Sequence, residues 1–225
     1  ITVKKDPEAA KSMAQFLLHT FEPSLHLYNI LLKGNIYMND LEGIKETLSL
    51  IAINKFAFNA VTLNLLLVYY RDLNLLEDAD KLFEVIEKGD SPLINCPGPN
   101  LAAITSMMTG WQRKHNFEKV RYYFGKLEQY QIKPDEFVFN ILLLSALDAK
   151  EYLYFDEIIA SVNNLNSFVI QKVVLKSCIE RDLNLQPALK TLFSLKDASL
   201  ELSELIKWAT KKPESVAIEI LESGL

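Results

Sequence analysis

Asn29 and Asn64 lie 35 residues apart, and so do Thr105 and Asn140. Each stands at or beside an apolar run: LYNILL at 27–32, TLNLLL at 62–67, LAAIT at 101–105 and FVFNILLL at 137–144. Nineteen residues after each of the four comes a further apolar residue: Leu48, Phe83, Phe124 and Ile159. A fixed period of this length marks a supersecondary unit repeated along the chain, because one unit cannot bury its apolar face alone and a stack of units can. Within each period apolar residues recur three and four apart, so a unit reads as two amphipathic helices, for instance 61–73 then 76–88, and 101–114 then 117–130. The third unit closes with QIKPD, where Pro134 withholds a backbone N–H and restricts the residue before it. RDLNL at 71–75 returns at 181–185, with Phe83 and Phe193 at the same offset, which extends the expected array towards the C-terminus. Phe83 and Phe124 are expected to be buried at the seams between units.

Composition agrees with helices and removes several function classes. The 225 residues are 49% hydrophobic and 24% charged, with seven glycines and eight prolines, and show almost no period-2 alternation of β-branched residues, so an all-α chain is expected. The longest apolar run, Phe137 to Leu147, falls short of the roughly 20 residues of a membrane span. A formal charge of −5 supplies no global basic field, which counts against a nucleic-acid partner. Cys96 and Cys178 are too few for a zinc site or a disulfide framework, and His19, His26 and His115 have no ligand-like spacing. Free thiols, and no metal or cofactor, are expected. No nucleophile with a base, glycine-rich phosphate loop or framed pair of carboxylates is visible, so no catalytic residues are expected. The opening ITVKK reads as a mature form or a fragment of something longer.

Residues 101–135 carry a specific order: LAAIT, Met107 and Met108, Gly110, the basic pair Arg113 and Lys114, Phe117, Glu118, Val120, Phe124, and the ending IKPD. This order and unit length resemble the pentatricopeptide repeat, the helical hairpin of organellar RNA-binding proteins. The related tetratricopeptide repeat has a period of about 34 residues and a different Trp, Gly, Tyr and Ala pattern. The resemblance implies a right-handed α-solenoid of stacked hairpins. Its units would be 25–59, 60–100, 101–135 and 136–169, preceded at 1–24 by the end of an earlier unit whose second helix is 7–20. A degenerate fifth unit at 170–204, with Val174 at its fifth place, and terminal helices at 205–225 would follow. The second unit is 41 residues long because of GDSPLINCPGPN, read as a surface loop.

An asparagine inside a helix costs about 0.6 kcal/mol relative to alanine, so three at one point of a repeat want a reason. In the family resembled, the fifth residue of a unit hydrogen-bonds an RNA base edge, assisted by the last residue. Carried over, the pairs are Asn29 with Asn59, Asn64 with Asn100, Thr105 with Asp135, and Asn140 with Val169 or Ile170. The first two resemble pyrimidine readers, the third a guanine reader, and the fourth a loose pyrimidine reader. The competing explanation is that an asparagine near a helix start is a cap; the recurrence, with polar residues at 59, 100 and 135, favours base contact. The second residues, His26, Val61, Ala102 and Phe137, would flank the bases, and Lys33, Arg71, Arg113 and Lys114 would meet phosphates. The implied partner is single-stranded RNA, an organellar transcript or ribosomal RNA, in the mitochondrial matrix, with transcript stabilisation, processing or translation as the task. A protein-interaction scaffold, such as a subunit of the mitochondrial ribosome or of complex assembly, is the alternative. A non-catalytic arm of a larger RNA enzyme is a third.

Overall fold

A computed structural model describes residues 6–89, 93–161 and 168–184, with Ala188 and Ile218 as isolated positions. The helices among them are α1 (Pro7–Thr20), α2 (Leu25–Tyr37), α3 (Leu41–Ile53), α4 (Ala60–Asp72), α5 (Leu76–Lys88), α6 (Leu101–Arg113), α7 (Phe117–Gln129), α8 (Glu136–Asp148), α9 (Tyr152–Ser161) and α10 (Phe168–Glu180). The described residues form no strand beyond a single bridge between Phe58 and Ile94. The all-α expectation is met, and α1 spans the helix expected at 7–20. The terminal helices expected at 205–225 and the seam at Phe193 lie outside the described residues.

Seven of these helices start on a polar side chain that takes up first-turn N–H groups, which otherwise have no partner within the helix, whereas α5 follows Leu75 and has no side-chain cap. Asp6 accepts from Ala9 at 2.9 Å, Ser24 from Leu27 at 3.4 Å, and Asp40 from Gly43 at 2.9 Å. Asn59 accepts from Val61 and Thr62 at 3.1 Å, Asn100 from Ala103 at 2.9 Å, Asn116 from Lys119 at 3.0 Å and Asp135 from Val138 at 2.9 Å. Lys11 also bonds Asp40 at 2.6 Å, and this bond, more than the Gly43 N–H, holds the Asp40 carboxyl below its ordinary range.

The inner helices stop on a left-handed residue. Counting the first residue of α2, α4, α6, α8 and α10 as position 1, position 15 is Asn39, Asn74, His115, Lys150 and Asp182, with φ of 55°, 63°, 53°, 59° and 53°. Asparagine and aspartate tolerate this region better than most side chains; histidine and lysine do so here because the turn geometry recurs. The turn fixes the register independently of sequence likeness, and it corrects two expectations. Counted back from the left-handed Asp182, position 1 of the fifth inner helix is Phe168 rather than residue 170, so Lys172, not Val174, holds its fifth position. The RDLNL echo is also out of register. In the first copy Asn74 is the left-handed residue, in the second it is Asp182, and Arg71 lies within α4 whereas Arg181 follows α10.

The chain divides into two compact units, one of residues 1–111 with 125–132, the other of 112–124 with the residues from 133 onward. In the first, α1 packs on α2, α2 on α3 and α4, and α4 on α5. Gly110 lets α6 approach α5 closely, since a Cβ there would lie 2.6 Å from a Leu76 methyl. The Trp111 indole N–H donates to Asp80 at 3.1 Å, and Glu87 accepts from Tyr130 and from Lys126, both at 2.8 Å. In the second unit α8 packs on α9 and α10. Arg181 grips Asp156 through two bonds of 2.7 and 2.8 Å, and Arg121 lies 4.8 Å over the Tyr154 ring.

Two loci repeat in the core. Positions 7 and 8 are Leu31 and Leu32, Leu66 and Leu67, Met107 and Met108, Leu142 and Leu143, and all are buried. Position 20, on the outer helix, is Ile44, Ala79, Val120 and Phe155, also all buried. The expected seam pair divides. Phe83 is 1% exposed, but Phe124 is only partly buried, because the buried stripe of α7 runs through Phe117, Val120, Tyr123 and Leu127. Phe124 lies at the stripe's edge, its ring 6.0 Å from that of Phe139. The insertion in the second unit is also more than a free loop. The Phe58 N–H donates to Leu93 O at 2.7 Å and the Asn95 N–H to Phe58 O at 2.8 Å, which fastens its middle to the α3–α4 connection.

Phe83→Ala is expected to cost about 3 to 5 kcal/mol, and Phe124→Ala roughly 1 to 2 kcal/mol for a ring that is partly wet. Chemical unfolding of the two variants measures the difference; equal losses would contradict the assignment of Phe124 to the edge of the stripe.

Candidate nucleic-acid interface

The residues expected to act as second partners in base contact, Asn59, Asn100 and Asp135, are the caps of α4, α6 and α8. The capping explanation therefore holds for them, and not for the fifth-position residues, which lie inside the helix a turn later. Sequence reasoning placed it on the wrong set of asparagines.

The four fifth-position residues occupy three different situations. Asn29 is buried, and both ends of its amide are engaged: Nδ2 donates to Asn59 Oδ1 at 3.3 Å, and Oδ1 accepts from the Thr62 hydroxyl at 2.8 Å. This clasp joins α2 to the start of α4. Thr105 is part-buried and its hydroxyl donates to the Leu101 carbonyl at 2.6 Å, within its own helix, which leaves the oxygen as an acceptor. Asn64 and Asn140 are different again. Each lines a groove between neighbouring inner helices, and among the described residues neither amide has a hydrogen-bond partner.

The groove at Asn64 holds about 660 Å³ between α2 and α4. Lys33 and Tyr37 stand on its α2 side, Val61 and Tyr69 on its α4 side, and Asp72 near its end. Tyr37 and Tyr69 were missed in the sequence, where one tyrosine among nine carries no signal; the signal would have been their place, one or two turns below the fifth-position residue, on facing helices. The groove at Asn140 holds about 280 Å³ between α8 and α10, and it too has residues the sequence did not point to, Lys172 and Lys176.

The second-position residues His26, Val61, Ala102 and Phe137 are all exposed at the starts of their helices, Val61 and Phe137 by 54% each. Of the basic candidates, Lys33 reaches the α2–α4 groove, while Arg113 and Lys114 are exposed at and after the end of α6. Arg71 does not fit a phosphate contact. Its side chain is 18% exposed and its guanidinium bonds Asp72 at 2.9 Å, so its charge is already compensated. Of the two proposed neighbours of Asn140, Val169 lines the groove and Ile170 is fully buried. Counted back from the turn at Asp182, both lie inside α10, and the place before it lies outside the described residues.

Among the described residues no group of three or more His, Cys, Asp or Glu could hold a metal ion, and no helix is long and apolar enough to cross a membrane. Cys96 and Cys178 are free, and burial pushes the Cys178 thiol up, away from its reactive thiolate form.

Hairpins of fixed register with grooves between successive inner helices define an all-α helical-repeat protein. Among solved structures the chain is similar to the pentatricopeptide repeat protein PPR10 from maize, with a TM-score of 0.62 and 13% identity, over 96% of this chain. It spans 28% of the length of that protein. At this identity the likeness is one of fold, and it agrees with the helical-repeat solenoid expected from the period. No family model matches the chain. No curated protein matches it.

Asn59→Ala removes a cap and one half of the clasp to Asn29 and is expected to lower stability by about 1 to 2 kcal/mol. Asn64→Ala, which breaks no bond among the described residues, should stay within about 0.5 kcal/mol. Thermal or chemical unfolding followed by circular dichroism compares them; an Asn64→Ala loss equal to that of Asn59→Ala would show that Asn64 is a structural residue.

Proposed function

We propose that this chain is a single-stranded RNA-binding module whose inner-helix grooves each receive one base. The observation that carries the reading is Asn64, a polar amide without a partner among the described residues, set in an open groove with an exposed Val61 at its mouth and the ammonium of Lys33 across it. A half-buried amide with unmade hydrogen bonds is unfavourable unless something supplies them. A nucleobase edge, offering donors and acceptors together, is such a partner.

Capping gives the selectivity a chemical basis. At Asn59 and Asn100 the cap occupies the carbonyl oxygen and leaves the NH₂, a donor. At Asp135 it occupies one oxygen and leaves the other, an acceptor. A donor suits the carbonyl oxygens of pyrimidines, and an acceptor suits the N–H groups of guanine. The expected order is pyrimidine, pyrimidine, guanine, then a weaker pyrimidine, read 5′ to 3′ along the chain. The Asn29 step has its amide already committed to the clasp and would discriminate least of the first three. An organellar, mitochondrial transcript and a role in stabilisation, processing or translation follow from the family resembled and are part of the same proposal. The net charge of −5 favours the second reading, a protein-binding scaffold. With so few phosphate contacts RNA binding should be weak and steeply salt-dependent.

Selection from a randomised RNA pool at low salt tests this. Guanine is expected at the third step by about tenfold over other bases, and Thr105→Asn should move that step towards uracil while leaving its neighbours unchanged. A featureless profile for both proteins would discard base reading in favour of the scaffold.

A further inference from the structure

Helices α1, α2 and α3 enclose a cavity of about 320 Å³ that shares no lining residue with the α2–α4 groove. Its α2 stripe is Tyr28, Leu31 and Asn35, spaced three and four apart and so on one helix face. The two ends of that stripe are about 10 Å apart, and they differ in kind. At one end Asn35 meets Thr47 and Gly43 of α3, with Lys11 of α1 close by. At the other, Tyr28 and Leu31 pack with Leu18 and Leu50. The cavity is therefore polar at one end and apolar at the other.

Asn35 is 2% exposed, and its neighbours fix which way its amide points. The Thr47 hydroxyl donates to the Gly43 carbonyl at 2.7 Å, so its oxygen is left to accept, and the Asn35 NH₂ donates to it at 3.1 Å. A Cβ at residue 43 would lie 2.8 Å from Asn35 Cγ, so the glycine leaves the room that the amide fills. With the NH₂ committed, Asn35 Oδ1 is a buried acceptor without a partner among the described residues. Such an atom costs stability until a donor reaches it.

Charge narrows the choice of donor. Lys11 and Asp40 bond at 2.6 Å and offset each other. Glu46 stands exposed on the α3 rim of the cavity and has no partner among the described residues. The rim thus favours a cation, and the apolar end suits a short hydrocarbon.

We propose that the cavity between α1, α2 and α3 binds a short aliphatic primary amine, its ammonium at the polar end between Asn35 Oδ1 and Glu46 and its stem on Tyr28 and Leu31. A carboxylate of the same length has only acceptors to offer and would face two more. The inference is independent of RNA binding and involves none of the groove residues assigned to it.

Ligand-detected NMR on the intact chain tests it with n-butylamine, n-butanol and butyrate, at about pH 8 to stay above the ordinary histidine range, since His19 also lines the rim. The amine is expected to bind with a dissociation constant on the order of millimolar and about tenfold more tightly than butyrate. Asn35→Leu, which keeps the side-chain shape and removes the acceptor, should weaken the amine by about tenfold. Glu46→Gln should weaken it by about threefold and leave n-butanol unchanged. Circular dichroism checks both variants; should Asn35→Leu fail to fold, the exposed Glu46→Gln decides. An amide-blocked lysine, compared with n-butylamine, separates the two sources of such a head: tighter binding of the lysine points to a side chain of another protein, weaker binding to a free amine, and both support the site. Equal binding of butyrate, an unchanged amine affinity in folded Asn35→Leu, or an equal effect of Glu46→Gln on amine and alcohol would overturn the proposal. No amine binding would also overturn it, leaving Asn35 Oδ1 to a water molecule only.

Discussion

The hydrogen bond from a first-turn N–H to a capping oxygen is the interaction on which the register of this chain depends. It recurs at Ser24, Asn59, Asn100 and Asp135, each immediately before an inner helix, and it decides which residue is first. From there thirteen residues of helix carry the chain to a left-handed residue at position 15. With both ends pinned, positions 7 and 8 fall into the core and position 2 falls outside, in hairpins whose sequences share little else. A cap contributes about 1 kcal/mol, small beside the burial of two leucines, but burial alone would tolerate a helix that slid by a residue.

The same oxygens link the fold to the proposed function. A residue that holds a helix start is fixed in place, and whatever polar atom the cap does not use is presented in a defined direction without further loss of side-chain freedom. Asn59 shows the consequence most fully, since its oxygen serves two backbone N–H groups and the Asn29 amide together. There the repeat trades a free amide for a tie between hairpins. Asn64 and Asn140 have no such tie among the described residues, and they are the two that line grooves.

Much of the fold was legible because its signals are local. Apolar spacing and Pro134 placed α4 to α7 within a residue or two, and α1 as well. What failed was inference from likeness without geometry. The RDLNL pair is identical in sequence yet straddles the turn differently, with Asn74 left-handed in the first copy and Asp182 in the second, 108 residues apart rather than 110. Phe124 was taken as buried by its offset from Thr105, although a helix can rotate its stripe by one residue and present Tyr123 instead. The site was less legible than the fold. The period found the polar positions, but whether an amide faces solvent or a neighbouring cap depends on Thr62, a residue on the next hairpin that no single-unit pattern includes. Tyr37, Tyr69 and Lys172 were invisible for a related reason, since a groove is made of two helices and each half alone reads as an ordinary surface.

The central claim is that bases enter between successive inner helices, and photo-crosslinking tests it most directly. A short uracil-containing RNA would be irradiated with the full chain at low salt and the adducts located by mass spectrometry. The account predicts adducts on peptides carrying Tyr37, Val61, Asn64 and Tyr69, which line one groove. Adducts confined to the outer helices α3, α5 and α7, or none at an RNA concentration that saturates binding, would contradict it.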